Sequence, residues 1–229
     1  MKTITIESVG EVVIRKSSRA KRIILKINSD GSPSVTIPRL APYIVGERFA
    51  RQHADWFIKN KSLRPSLIIF DGKKIGNTHT ITFVTGKSLG SRVARTTITV
   101  TVPSGLNQKS PVVQAEAKKA AIRALRRQAE QTLPGMVHTL AQKHGYSYNE
   151  VRIKAVQTRW GSCSSGRIIN LSVWLMQVPS ELIEYVICHE LTHLHHMHHQ
   201  AAFWEELATM IPDYKARRKA LKSYRPQLI

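Results

Sequence analysis

His189 and His193 stand four residues apart, and Glu190 follows the first of them. On a helix, residues i and i+4 lie one turn apart on the same face. Two imidazoles so placed can reach a single metal ion, and the glutamate beside them can take a proton from water that the ion activates. The flanks read as helix: Ser180 after Pro179 as the N-cap, with Glu181 and Glu184 suited to the positive end of the dipole. Leu182, Ile183, Val186, Ile187, Leu191 and Leu194 recur at helical spacing, which predicts a buried helix. Six of the ten histidines fall between 189 and 199. A His-rich tract that only scavenges metal would need neither Glu190 nor the apolar helix ahead of it.

A catalytic zinc site takes three protein ligands and keeps one position open. Beyond His193, the candidates are His195, His196, His198 and His199. On a straight helix His196 would stand roughly 10 Å of rise past His189, too far to share an ion whose Zn–N bonds are about 2 Å. The chain is therefore expected to turn after Leu194 or His195 and return a later histidine, with His198 and His199 both open on spacing alone. Glu205 and Glu206 offer a carboxylate alternative, in the manner of gluzincins.

The stretch resembles the YgjP-like metallopeptidase family, a zincin group. Its pattern runs His-Glu-Leu-x-His-Leu, four residues, His, three residues, Phe-Trp. Here those places hold His189, Glu190, Leu191, His193, Leu194, His199, Phe203 and Trp204. Arg159-Trp160-Gly161-Ser162-Cys163 resembles a further family element, and Asn170, Trp174 and Pro212-Asp213-Tyr214 also fit. The resemblance is specific from about 153 to 221. It implies an α+β zincin-like metallopeptidase domain with one zinc on His189, His193 and His199 and with Glu190 as catalytic base. It also implies a peptide or protein substrate lying on a strand edge beside the metal helix. Metzincins share the three-histidine spacing, but their Gly is replaced here by His196.

The rest of the chain must position this helix. Alternation predicts strands at 3–6, 11–14, 22–27 and 34–37, with a hairpin turn at 28–31. A helix is expected over 41–61, then strands at 67–70, 78–85 and 96–102, with a turn at Asp71-Gly72. Val112 to His144 reads as helix, split or kinked at Pro134-Gly135, with Ala117, Ala121, Leu125, Ala129 and Leu133 on one row and Gly145 as its stop. A strand at 151–156 leads to a turn at 160–162 and a strand from 168 to 174. No internal repeat is evident. The expected organisation is a β-rich N-terminal part, 1–106, and the zincin-like domain, 107–229. Trp160 reads as core, Cys163 as a small buried residue, and Asn170 as a turn partner or a group that orients a ligand. Tyr214, Arg159 and the extra histidines are candidates for a second oxyanion donor.

The 229 residues carry a net charge of +20, and 42% are apolar, as in ordinary globular proteins. The balance is +12 over 1–106, +8 over 107–170 and zero over 171–229. The excess therefore lies outside the metal motif, in clusters such as Arg15-Lys16, Arg19 to Arg22 and Arg126-Arg127. These suit nucleic acid or an anionic surface, so the alternative function is a nucleic-acid-associated zinc protein, either a structural module or a protease acting on nucleoprotein. Two cysteines, Cys163 and Cys188, fit reduced thiols and a cytoplasmic location. No apolar run reaches membrane-spanning length.

Overall fold

The computed structural model describes residues 1–28, 31–62 and 68–228. It is an α+β protein that divides into two compact units, Met1–Leu67 and Ile68–Ile229. The division thus falls well before 106, because the second set of strands shares a core with the long helix that follows it.

The first unit comprises β1 (Lys2–Ile6), β2 (Gly10–Ser17), β3 (Ile24–Ile27), β4 (Pro33–Pro38), α1 (Tyr43–Gln52) and α2 (Ala54–Ser62). Its sheet runs β1-β2-β4-β3. Val12 and Ile14, and likewise Val35 and Ile37, alternate inward onto Ala50 and Phe57, all fully buried. Ser29 and Asp30 of the expected hairpin turn lie outside the described residues, while the arms pair antiparallel from Ile24↔Thr36 to Ile27↔Pro33. The helix expected over 41–61 is two helices. The break falls at His53, whose backbone N–H and ring Nδ1 both meet the Phe49 carbonyl, at 3.2 and 2.9 Å.

The second unit opens with β5 (Lys74–Ile75), β6 (His79–Gly86), β7 (Gly90–Val93) and β8 (Thr97–Pro103), in the order β5-β6-β8-β7. Each four-stranded sheet has a central parallel pair flanked by antiparallel edges. The topology therefore repeats although no residue pattern announces it. The expected strand at 67–70 is absent over 68–70, and Leu67 lies outside the described residues. Ile69 instead gives its N–H to Gln114 Oε1 (2.8 Å) and its carbonyl accepts from Gln114 Nε2 (2.9 Å), so a side chain satisfies what a strand partner would.

α3 (Pro111–His144) crosses this sheet without interruption, Pro134 included. An interior proline costs about 3 kcal/mol. Leu133 and Val137, both fully buried on either side of it, hold the helix through the defect. Gly145 ends it in the left-handed region at φ 74°.

The remaining elements are β9 (Glu150–Lys154), β10 (Gly161–Cys163), β11 (Ile168–Ser172), a 3₁₀ turn (Val173–Gln177), α4 (Ser180–Thr192), α5 (Ala201–Met210) and α6 (Tyr214–Leu221). The sheet runs β10-β11-β9, with β10 antiparallel to β11 at an open edge. The segment expected as a turn at 160–162 thus contributes a strand. Ser180 is the first residue of α4 rather than its cap, and its Oγ donates to Glu181 Oε2 at 3.1 Å. Among the described residues no helix is long and apolar enough to cross a membrane.

Candidate metal centre

α4 buries Leu182, Ile183, Val186, Ile187 and Leu191 and delivers His189 and Glu190 from its last turns. The helix ends sooner than expected. The Thr192 hydroxyl donates to the Cys188 carbonyl (2.8 Å), and the His196 N–H still reaches Thr192 O (2.9 Å), but His193 already begins the turn. The loop then doubles back to His199 without Gly or Pro.

Three imidazoles converge. Ligand nitrogens of His189, His193 and His199 lie within 4.8 Å of one another, with His189 Nε2 and His199 Nε2 3.0 Å apart. His193 Nδ1 lies 3.0 Å from the His196 carbonyl. A carbonyl only accepts, so Nδ1 carries the proton and Nε2 keeps its lone pair. Phe203, fully buried, meets all three rings, at centroid distances of 4.9, 4.8 and 4.7 Å. Trp204 stacks on His199 at 5.5 Å and donates from Nε1 to the His199 carbonyl at 3.2 Å.

The electrostatics favour the neutral form of His189 and His199. Burial, then His193 and His199, push His189 down to about 3. Burial and His193 also lower His199. Neutral imidazole is the form that binds a metal. Packing basic nitrogens this closely with no carboxylate among the ligands suits a shared cation, so the residues fit a metal ion.

Glu190 is 5% exposed and sits between α4 and the edge strand β10. A Cβ at Gly161 would stand 2.7 Å from Glu190 Oε1, so only glycine leaves room for the carboxylate. Burial pushes its pKa up to about 8, against the opposing effects of the Cys163 N–H, which donates to it, and the Arg159 charge. Its Oε2 is buried with no partner among the described residues. The register explains why Cys163 can donate. Ser162 pairs with Asn170, while Ser172 N–H meets Trp160 O (2.9 Å) and Ser164 N–H meets Ile168 O (3.1 Å). The backbone groups of Gly161 and Cys163 therefore point to the open edge.

A family model for the YgjP-like metallopeptidase domain matches residues 21–224. The chain belongs to the YgjP-like metallopeptidase family. Membership makes it a metallopeptidase, an enzyme of protein or peptide substrates that uses a metal ion. Among solved structures, the metallopeptidase zymogen abylysin of Pyrococcus abyssi is 21% identical, covering 40% of this chain and 94% of its own, with a TM-score of 0.37. The zymogen jannalysin of Methanocaldococcus jannaschii is 23% identical, covering 39% and 90%, with a TM-score of 0.34. No curated protein matches.

In this YgjP-like chain the other candidates part from the cluster. His195 Nδ1 and His196 Nε2 lie 2.7 and 2.6 Å from the two oxygens of Glu206, and the Tyr146 hydroxyl donates to the same carboxylate. Burial alone would raise Glu206, but Tyr146, His195 and His196 hold it below the usual carboxylate range. Glu206 is thus committed to the loop, and Glu205 is exposed. His198 is exposed as well. Tyr214 stacks on Trp204 (5.5 Å, 15°). Asn170 Nδ2 donates across the strands to Ser162 O at 3.3 Å, and Trp160 packs, partly buried, against the core. Cys163 and Cys188 are free thiols, both raised by burial, Cys188 to about 12.

Sequence reasoning missed Tyr146, a place for Glu206 other than as a ligand, and Arg218, which lies over Trp204. Only the Glu206 tie had a signal, two adjacent histidines beyond the motif with a carboxylate one helix later. Glu206 holds His196, and the His196 carbonyl orients His193. Outer-shell partners of this kind are worth about 10–100-fold in metal affinity. Glu206→Gln is accordingly expected to weaken zinc, used as the probe ion, at least about tenfold in chelator competition, with the circular dichroism spectrum unchanged.

Proposed function

We propose that this metallopeptidase is zinc-dependent and hydrolyses peptide bonds, with His189, His193 and His199 as ligands and Glu190 as general base. The observation that carries the reading is the convergence of three imidazoles beside a buried carboxylate wedged against an edge strand. Zinc bound there would supply Lewis acidity, lowering the pKa of water towards neutrality and polarising a carbonyl.

The protein's own residues do the remainder. His189 and His193 are presented by the end of α4, and His199 is steadied by Trp204 and Phe203. Glu190 takes the proton from the attacking water and returns it to the leaving amine. Its upward displacement suits that exchange, and the charge of a bound cation would draw it back down. The edge groups of Gly161 and the carbonyl of Cys163, whose N–H is given to Glu190, offer main-chain pairing to an extended peptide, which tolerates varied side chains. Three ligand residues among those described is the count of a catalytic site, whereas structural sites are closed by four. The test is digestion of a proteome-derived peptide library by the zinc-loaded protein. Cleavage that a chelator abolishes and zinc restores is the expected result.

Association with nucleic acid is a second reading, favoured by the +20 charge alone. If it holds, binding falls steeply between 50 and 200 mM salt, and reversing the exposed Arg19, Lys21 and Arg22 weakens it without altering zinc content. Absence of DNA and RNA binding in a gel shift at low salt removes that reading. A cytoplasmic location fits the free thiols Cys163 and Cys188.

A further inference from the structure

A cation stands beside the metal centre, and no ion pair among the described residues occupies it. The Arg218 guanidinium lies 4.7 Å from the Trp204 ring centre. Trp204 in turn stacks on His199 at 5.5 Å and 25°, so the indole that meets the cation also meets a ring of the metal cluster. Tyr214 stacks with Trp204 (15°), fixing the indole that carries the arginine.

Its neighbour shows what an engaged arginine looks like in this helix. Arg217 is held by Glu184 at 2.6 Å and Asp213 at 3.0 Å. Arg218 is exposed and has no ion-pair partner among the described residues. On the β10 side stands a second exposed arginine without an ion-pair partner among the described residues. Arg159 borders a cavity of about 220 Å³ with Lys154, Trp160 and Ser162, and no acidic residue lines it. Of the acids preceding Arg218, Asp213 and Glu184 are held by Arg217 and Glu206 by His195 and His196, while Glu205 is exposed and makes no ion pair with Arg218.

A guanidinium laid on an indole is attracted to its face. That contact limits its motion, and the N–H groups of its rigid fork match a planar, bidentate acceptor. The anion that a peptide brings in that form is a carboxylate. We propose that Arg218 recognises a carboxylate on the bound peptide, either an acidic side chain near the cleaved bond or the peptide's own C-terminus. The inference rests on the peptidase reading above and names the substrate class that reading leaves open.

The two carboxylate sources are separated with synthetic peptides. One set exchanges Glu for Gln at each position around the cleaved bond, and the other compares free-acid with amidated C-termini. The zinc-loaded wild type is expected to favour the carboxylate form in one set by about tenfold or more in kcat/KM, the worth of one well-placed charged hydrogen bond. Arg218→Ala brings that ratio close to one, Arg218→Glu reverses it in favour of the amide form, and Arg218→Lys keeps part of it. Because each ratio compares two substrates of one preparation, partial misfolding does not imitate the effect. Anisotropy of the same peptides, fluorescently labelled, on zinc-loaded Glu190→Gln supplies a readout apart from turnover. If the wild type with zinc bound cleaves no peptide, the peptidase reading fails and the anisotropy decides for Arg218. Equal treatment of carboxylate and amide forms by the wild type, or a preference that survives in Arg218→Ala, overturns the inference.

Discussion

Glu190→Gln is expected to keep its zinc and its fold while losing at least about 100-fold in turnover, the lower end of what a positioned general acid–base contributes. The amide has the shape of the carboxylate but cannot accept and return a proton at neutral pH. It also fits the same slot, against Gly161 and the Cys163 N–H. Zinc content and hydrolysis of one identified peptide must be measured on the same preparation. Equal turnover by the two proteins would reject Glu190 as the base, whereas loss of zinc would make its role structural.

A pH signature accompanies this in metal-free protein. Burial raises Glu190 from the ordinary 4.5 to about 8. The folded state therefore holds the proton more tightly than the unfolded state, and this group's contribution to stability falls as pH rises between those two values. Glutamine has no such dependence. The melting temperature of Glu190→Gln minus that of wild type should grow from pH 4.5 to about 8 and then level off. A difference flat across that window would mean that the carboxyl is not displaced.

How far these features could be read from the chain depends on whether the physics is local. Val12, Ile14, Val35 and Ile37 alternate as half-buried strands must, and all four are buried. The Ala117 to Leu133 row of α3 is fully buried as its spacing required. The break at Pro134 was expected from local chemistry, and burial of Leu133 and Val137 overrode it. The Ile68–Phe70 run looked like a strand until Gln114, 45 residues later, supplied the hydrogen bonds. β7 has no apolar alternation, and Pro65 just before the boundary at 67 does not by itself mark a division, since the long helix joins the second sheet through contacts remote in sequence. In the site, His189, Glu190 and His193 follow from helical periodicity. Spacing left His198 and His199 equal, and the choice came from the family pattern. Arg218 was invisible because its position depends on α5 and α6 meeting at Trp204.

The ligand set carries the other large effect. His189→Ala and His193→Ala should each abolish stoichiometric zinc, because both are presented by the end of α4 and no neighbouring imidazole of that helix can take their place. His199 stands differently. It lies on an exposed loop, with His198 beside it and His196 three residues back. His196 is restrained by Glu206, but His198 is exposed and can be recruited at a cost in geometry. His199→Ala is therefore expected to bind zinc weakly rather than not at all, so the measurement needs a competing chelator of graded affinity. Thermal melts give an independent reading, since a ligand at 100 times its Kd stabilises by about 2.7 kcal/mol. The zinc-dependent rise in Tm should be full in wild type, small in His199→Ala and absent in His189→Ala and His193→Ala. Tight stoichiometric zinc in His199→Ala would move the third ligand elsewhere. Glu205 would be the first place to look, because Glu206 is already engaged by His195, His196 and Tyr146. The double variant His198→Ala with His199→Ala separates the two explanations. If His198 is the substitute, the residual binding disappears; if Glu205 is the true ligand, it persists.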